Sequence, residues 1–200
     1  MNRFKPHPEY NIEVFDNLFD RKTILFIEEI VSNAEYCFIN SDRPDPAKYQ
    51  YPKGAVYVLD KGHEVKNIYG GLFNVIMNGC YQILDKSIFD QNKDNLTMQI
   101  NLSFSSTIDR WHADMSFYDE SLGFKGYTIL YYANSEWDID YGGETIFYNN
   151  NQEIIASIRP KPGRFAIFDS SIMHSARPPQ VHCPYYRYGI ATKIISKNIK

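Results

Sequence analysis

Tyr127-Thr128-Ile129-Leu130-Tyr131-Tyr132, Thr145-Ile146-Phe147-Tyr148, Ile154-Ile155-Ala156-Ser157-Ile158 and Arg164-Phe165-Ala166-Ile167-Phe168 follow one another as short apolar runs. β-Branched and aromatic side chains suit a pleated, half-buried surface, and runs this brief favour strands over helices. Working outward, Met98 to Phe104 precedes them and Tyr188 to Ile195 follows. Breaks fall at Gly123, Gly126, Gly142-Gly143, Pro160 to Gly163 and Pro178-Pro179. Many short strands with turn residues between them predict a β-sandwich or jelly roll.

Before Leu96 the character differs. Tyr10 to Phe15 alternates like a short strand. Asp20 can cap a helix from Arg21 to about Ser32, in which Ile24, Leu25, Ile27, Ile30 and Val31 fit helical spacing. Asp42-Arg43-Pro44-Asp45-Pro46 reads as a loop. A second helical stretch, roughly His63 to Leu84, is interrupted by Gly70-Gly71 and Gly79. Helices followed by strands predict a mainly β protein of α+β type with helices packed on one sheet. No linker divides the chain, so a single domain over 1–200 is expected, with 1–95 as helical support and 96–200 as the jelly-roll core.

The chain has 200 residues, 44% of them hydrophobic and 16% aromatic, enough for one sizeable core. The formal net charge of −3 gives no sign of a polyanion-binding protein. Cys37, Cys80 and Cys183 are an odd number without C-x-x-C spacing, so neither a disulfide framework nor a zinc site is expected. With no apolar leader and no window as long as a membrane span, the expectation is a cytoplasmic protein without a membrane partner.

His112 and Asp114, in Trp111-His112-Ala113-Asp114, and His174, in Ser171-Ile172-Met173-His174, are the candidate metal ligands and catalytic residues. On an extended segment residues i and i+2 point to one side, so His112 and Asp114 can face one ion. Two imidazoles and a carboxylate hold one face of a first-row metal and leave the other open, the ligand set of non-haem Fe(II) oxygenases. Taken alone, His-x-Asp is a short pattern with an ordinary reading: a surface histidine, a turn aspartate and a core histidine. Asp169, beside Ser170-Ser171, reads as a turn or capping residue.

The motifs around these residues remove that ambiguity. His112-Ala113-Asp114, Thr128 to Asn134 with its Tyr-Tyr-x-Asn, Gly142-Gly143-Glu144-Thr145-Ile146-Phe147, Pro160 to Phe168, Met173-His174 and Tyr186-Arg187-Tyr188-Gly189-Ile190 occur in order. As a unit, Trp111 to about Ile195 resembles the Fe(II)/2-oxoglutarate-dependent dioxygenases, in particular their prolyl 4-hydroxylase-like branch. The resemblance implies a double-stranded β-helix (jelly-roll, cupin-like) core flanked by N-terminal helices. It implies Fe(II) on His112, Asp114 and His174, with 2-oxoglutarate as cosubstrate, O2 as oxidant and ascorbate as a candidate reductant. Arg187 would bind the remote carboxylate of 2-oxoglutarate through its two-pronged fork. Tyr132 would add a hydroxyl there and Thr192 a further contact, while Arg177 competes as the anchor. Relatives that halogenate lack the ligand aspartate, so Asp114 implies hydroxylation.

Two departures stand out. Asn101 to Arg110 lacks the glycine and tyrosine that many relatives carry before His-x-Asp, and Gly189 stands where some have serine. The implied activity is hydroxylation of an unactivated C–H, in a prolyl residue of a protein or peptide or in a free amino acid, releasing succinate and CO2. The alternatives are a nucleic-acid demethylating oxygenase of the same superfamily and a non-catalytic jelly-roll binding protein. The loops Ser116 to Gly126 and Ser135 to Tyr141, acidic and aromatic, are expected at the entrance.

Overall fold

The computed structural model describes residues 1–39, 53–60, 63–107, 111–197 and 199. The expected loop at Asp42 to Pro46 lies outside the described residues. The strands are β1 (Asn2–Phe4), β2 (Ile12–Asp16), β3 (Cys37–Ile39), β4 (Lys53–Leu59), β5 (Leu96–Ser103), β6 (Lys125–Tyr132), β7 (Thr145–Tyr148), β8 (Ile154–Ile158), β9 (Phe165–Asp169), β10 (Met173–Ala176) and β11 (Arg187–Ser196). The helices are α1 (Arg21–Ser32), α2 (Gly70–Ile83), α3 (Lys86–Gln91) and α4 (Phe117–Ser121). An eight-stranded sheet runs β1-β2-β9-β6-β11-β5-β4-β3, and a three-stranded sheet runs β10-β7-β8. The fold is mainly β with a few helices, the jelly roll expected of the sequence.

Strand alternation builds two cores. Met98, Ile100, Ile129, Tyr131, Phe165, Ile167, Ile190 and Ile194 leave one face of the large sheet and meet Ile27 and Val31 of α1 and Leu72, Ile76 and Cys80 of α2. Ile12, Val14, Tyr132, Ala166 and Phe168 leave the other face and meet Phe147, Ala156 and Ile158 of the small sheet. The same inward phase on β5 and β11 carries Gln99, Asn101, Arg187, Gly189, Ala191 and Lys193, which line a cavity instead of filling a core. The jelly-roll interior is thus apolar over β2-β9 and polar over β11-β5.

α1 begins where Asp20 caps it, its side chain accepting from Thr23 N at 2.8 Å. The second helical stretch differs from expectation. His63 to Lys66 is not helical, a 3-10 turn covers Asn67–Tyr69, and α2 starts at Gly70 and passes through Gly79 without a break. Gly79 is there for packing: a Cβ would lie 2.5 Å from Phe165 Cζ and 2.8 Å from Phe19 Cζ. Gly142-Gly143 is not a simple hairpin turn, because β6 and β7 belong to different sheets. Both glycines have positive φ, 68° and 80°, where the chain crosses from one sheet to the other.

Candidate active site

His112 and His174 face each other across an isolated antiparallel bridge, each amide donating to the other's carbonyl at 2.8 Å. Paired residues present their side chains on the same face, and the two imidazole centroids lie 4.5 Å apart. Asp114, two residues beyond His112, joins that face, with Oδ1 3.7 Å from His112 Nε2 and Oδ2 3.6 Å from His174 Nε2. One ligand atom from each of the three residues falls within 4.8 Å of the others. The sequence-predicted set is therefore brought together, and β10, too short to be read as a strand from sequence, carries its third member.

His174 Nδ1 lies 2.9 Å from the Ile172 carbonyl. Nδ1 must carry the proton to make that bond, which leaves the Nε2 lone pair aimed at the Asp114 side. Burial lowers the His174 pKa, against the opposing pull of Asp114, and so favours the neutral imidazole a metal needs. Burial pushes the Asp114 carboxyl up, but Lys193 and the two histidines outweigh it and hold it at about 2. Lys193 is the largest of these lowering influences. Its Nζ is 2.5 Å from Asp114 Oδ1, while Thr128 Oγ1 donates to Oδ2 at 2.8 Å and contacts Ser170 Oγ at 2.9 Å.

From the three ligand atoms a cavity of about 70 Å³ runs along β11 to Arg187. Arg187 is 2% exposed. Its Nε donates to the Gly143 carbonyl at 2.7 Å, its Nη2 to Thr145 Oγ1 at 3.1 Å, and its guanidinium sits 5.3 Å from the Tyr132 ring centroid. Among the described residues it makes no ion pair with a carboxylate. A buried guanidinium satisfied only by neutral groups is a costly arrangement that an anion in the cavity relieves. Asn101 Oδ1 and Ser103 Oγ, on β5 opposite Gly189 and Arg187, are buried without partners among the described residues. The buried cation, with room beside it in the cavity, fits the carboxylate of a small acid.

Three expectations are refined. Tyr132 points inward, but its hydroxyl already meets Thr145 Oγ1 at 2.8 Å and the Ile158 carbonyl at 3.1 Å, so Thr145 stands between it and the cavity. Thr192 is misplaced as a cosubstrate contact: it has the phase of Tyr188, Ile190 and Ile194 and is buried on the helix-covered face. Arg177 is also away from the cavity, its Nη2 reaching Tyr148 Oη at 3.3 Å. Thr145 and Lys193 were missed. Lys193 could have been found by phase, since it alternates with Arg187 along one strand. Asp169 accepts from Asn11 Nδ2 at 2.7 Å, outside the ligand group.

Residues 98–194 match the model of the 2OG-Fe(II) oxygenase superfamily. This region belongs to that superfamily. The oxygenase accordingly is an oxidoreductase enzyme, and its family implies Fe(II) and 2-oxoglutarate. A Pseudomonas putida prolyl-4-hydroxylase superposes with a TM-score of 0.65 at 12% identity, covering 93% of each chain. A 2OG-Fe(II) oxygenase family oxidoreductase from Burkholderia pseudomallei gives 0.61 at 12% identity, over 94% of this chain and 86% of that one. A viral collagen prolyl hydroxylase from Paramecium Bursaria Chlorella virus-1 gives 0.55 at 12% identity, over 94% and 96%. At such identities the likeness is one of fold. Nothing among curated proteins matches the chain. Among the described residues no helix is long and apolar enough to cross a membrane.

Proposed function

We propose that this oxygenase is a hydroxylase in which His112, Asp114 and His174 hold Fe(II) and Arg187 anchors the remote carboxylate of 2-oxoglutarate. The observation that carries the reading is one cavity joining three converged ligand atoms to a buried guanidinium that has no carboxylate partner among the described residues. Bound Fe(II) would supply the activation of O2, coupled to decarboxylation of 2-oxoglutarate to succinate and CO2.

The chain's own residues position and shield. Ile172 O fixes the His174 tautomer. Phe168 packs edge-on against His174, centroids 4.8 Å apart, and with Phe147 keeps water from that side. Thr145, bonded to both Arg187 and Tyr132, sets the guanidinium for the cosubstrate, and Tyr132 supports it from beneath.

The substrate we propose is a prolyl residue in a peptide or protein, or a free amino acid. The likeness to a bacterial prolyl-4-hydroxylase and a viral collagen prolyl hydroxylase supports it. We further propose that residues 1–95 act with 96–200 as one domain, since α1 and α2 cover the large sheet, and that the protein is cytoplasmic, which its free cysteines support. The test is Fe(II)-dependent conversion of 2-oxoglutarate to succinate, followed by a mass-spectrometric screen of prolyl peptides and amino acids for the gain of one oxygen. Turnover stimulated by a prolyl peptide supports the reading. No succinate with any substrate, in protein that binds Fe(II) and 2-oxoglutarate, counts against it.

A further inference from the structure

We infer that Lys193 competes with the metal for Asp114 and thereby limits how tightly the site holds a divalent cation. The inference rests on the reading of His112, Asp114 and His174 as the ligands.

Asp114 presents two oxygens, and each already has a donor. Oδ2 accepts from the Thr128 hydroxyl at 2.8 Å. That donor is neutral, shares its hydroxyl with Ser170 Oγ, and leaves a second lone pair on Oδ2 for an ion. Oδ1 is different. Lys193 Nζ lies 2.5 Å from it, and Oδ1 is also the oxygen nearest His112 Nε2, at 3.7 Å. A metal bound by both imidazoles and Asp114 must therefore share this carboxylate with an ammonium. Asp114 is 3% exposed in its side chain and Lys193 27%, so solvent screens their interaction weakly. Like charges at such separations repel strongly away from bulk water.

The ammonium can also yield. Lys193 has a flexible four-carbon stem and is partly exposed, so it can swing its charge toward the surface, which a rigid guanidinium fork would do less readily. Releasing the Lys193–Asp114 pair subtracts from the free energy of metal binding. Lys193 is thus a competitor for Asp114 with a signature of its own: removing its charge should tighten metal binding. A residue that merely oriented Asp114 would have the opposite effect.

Mn(II) alone, titrated calorimetrically into the chelator-treated full chain, distinguishes the two. Lys193→Met should bind Mn(II) about tenfold more tightly or better than the unaltered protein. Lys193→Gln, which can keep a neutral donor near Oδ1, should tighten binding in the same direction and decides the matter if Lys193→Met fails to fold. Lys193→Arg, which keeps the charge on a fork that yields less readily, should bind Mn(II) no more tightly than the unaltered protein. Unchanged or weaker binding in the neutral variants overturns the inference. His174→Ala separates this from the reading beneath it: if that variant binds Mn(II) as well as the unaltered protein does, the ligand assignment fails rather than the role of Lys193.

Discussion

Arg187 Nε donates to the Gly143 carbonyl at 2.7 Å, which fastens the first residue of β11 to the crossing between the two sheets. The bond holds a buried guanidinium with its second edge on Thr145, leaving the cavity side for an anion. Arg187→Gln should raise the KM for 2-oxoglutarate about 10- to 100-fold, as expected for loss of hydrogen bonds to a charged group. Arg177→Ala, on an exposed contact to Tyr148, should change it by less than about threefold. Steady-state kinetics in 2-oxoglutarate checks both, and the reverse ranking would move the anchor to Arg177.

The partner in that bond has little room. Gly143 has φ 80°, and a Cβ there would stand 3.0 Å from Trp137 Cζ2 and 3.1 Å from Arg187 Cδ. Gly143→Ala should cost about 1–2 kcal/mol from the left-handed backbone alone. It should also weaken 2-oxoglutarate binding by displacing Arg187. Chemical denaturation and a 2-oxoglutarate titration read the two effects separately, and wild-type values in both would remove Gly143 from the account.

Thr145 stands between Arg187 and Tyr132, bonded to both. Thr145→Val removes the hydroxyl between Arg187 and Tyr132 and should raise the 2-oxoglutarate KM by about tenfold. Tyr132→Phe loses a buried bond to the Ile158 carbonyl and should cost about 1 kcal/mol of stability with a smaller change in KM. A larger KM effect from Tyr132→Phe would show that its hydroxyl reaches the cosubstrate directly.

Asp16 gives the fold a pH dependence remote from the metal ligands. Burial pushes its carboxyl up, but Arg164, bonded through Nε at 2.8 Å and Nη2 at 2.9 Å, and Lys161 at 2.9 Å outweigh this and lower it. A depressed folded pKa means that the stabilisation is present above the unfolded carboxylate range and is lost as pH falls through the folded value. Asp16→Asn should therefore lower stability by about 3 kcal/mol at neutral pH and flatten its acid dependence. Urea melts from pH 7 to pH 3 check the slope, and an unchanged slope would assign the acid response elsewhere.

Much of this architecture was legible in local sequence, where local physics decides it. Asp20 ahead of an apolar helical pattern fixed the start of α1, and β7 and β8 are bounded by turn residues at their observed ends. What remained hidden depends on distant partners. Met173–Ala176 is a strand because β7 pairs with it, and four residues carry little pattern of their own. Gly79 reads as a helix breaker until Phe165 and Phe19 are seen against it. The resemblance implies a cosubstrate contact at Thr192, whereas alternation along β11 sends Lys193 to the cavity instead. His112, Asp114 and His174 were readable as candidate ligands through the ordered motifs around them, whereas the ammonium beside them has no motif.

In the proposed function His112, Asp114 and His174 form the iron site of a working oxygenase. The most direct measurement is Fe(II)-dependent formation of succinate from 2-oxoglutarate by the unaltered protein and by His174→Ala, each shown to be folded. The expected result is Fe(II)-dependent succinate from the unaltered protein and a loss of at least about 100-fold in His174→Ala, in line with removal of a group that holds the reacting metal. Equal succinate formation by the two proteins would contradict the assignment.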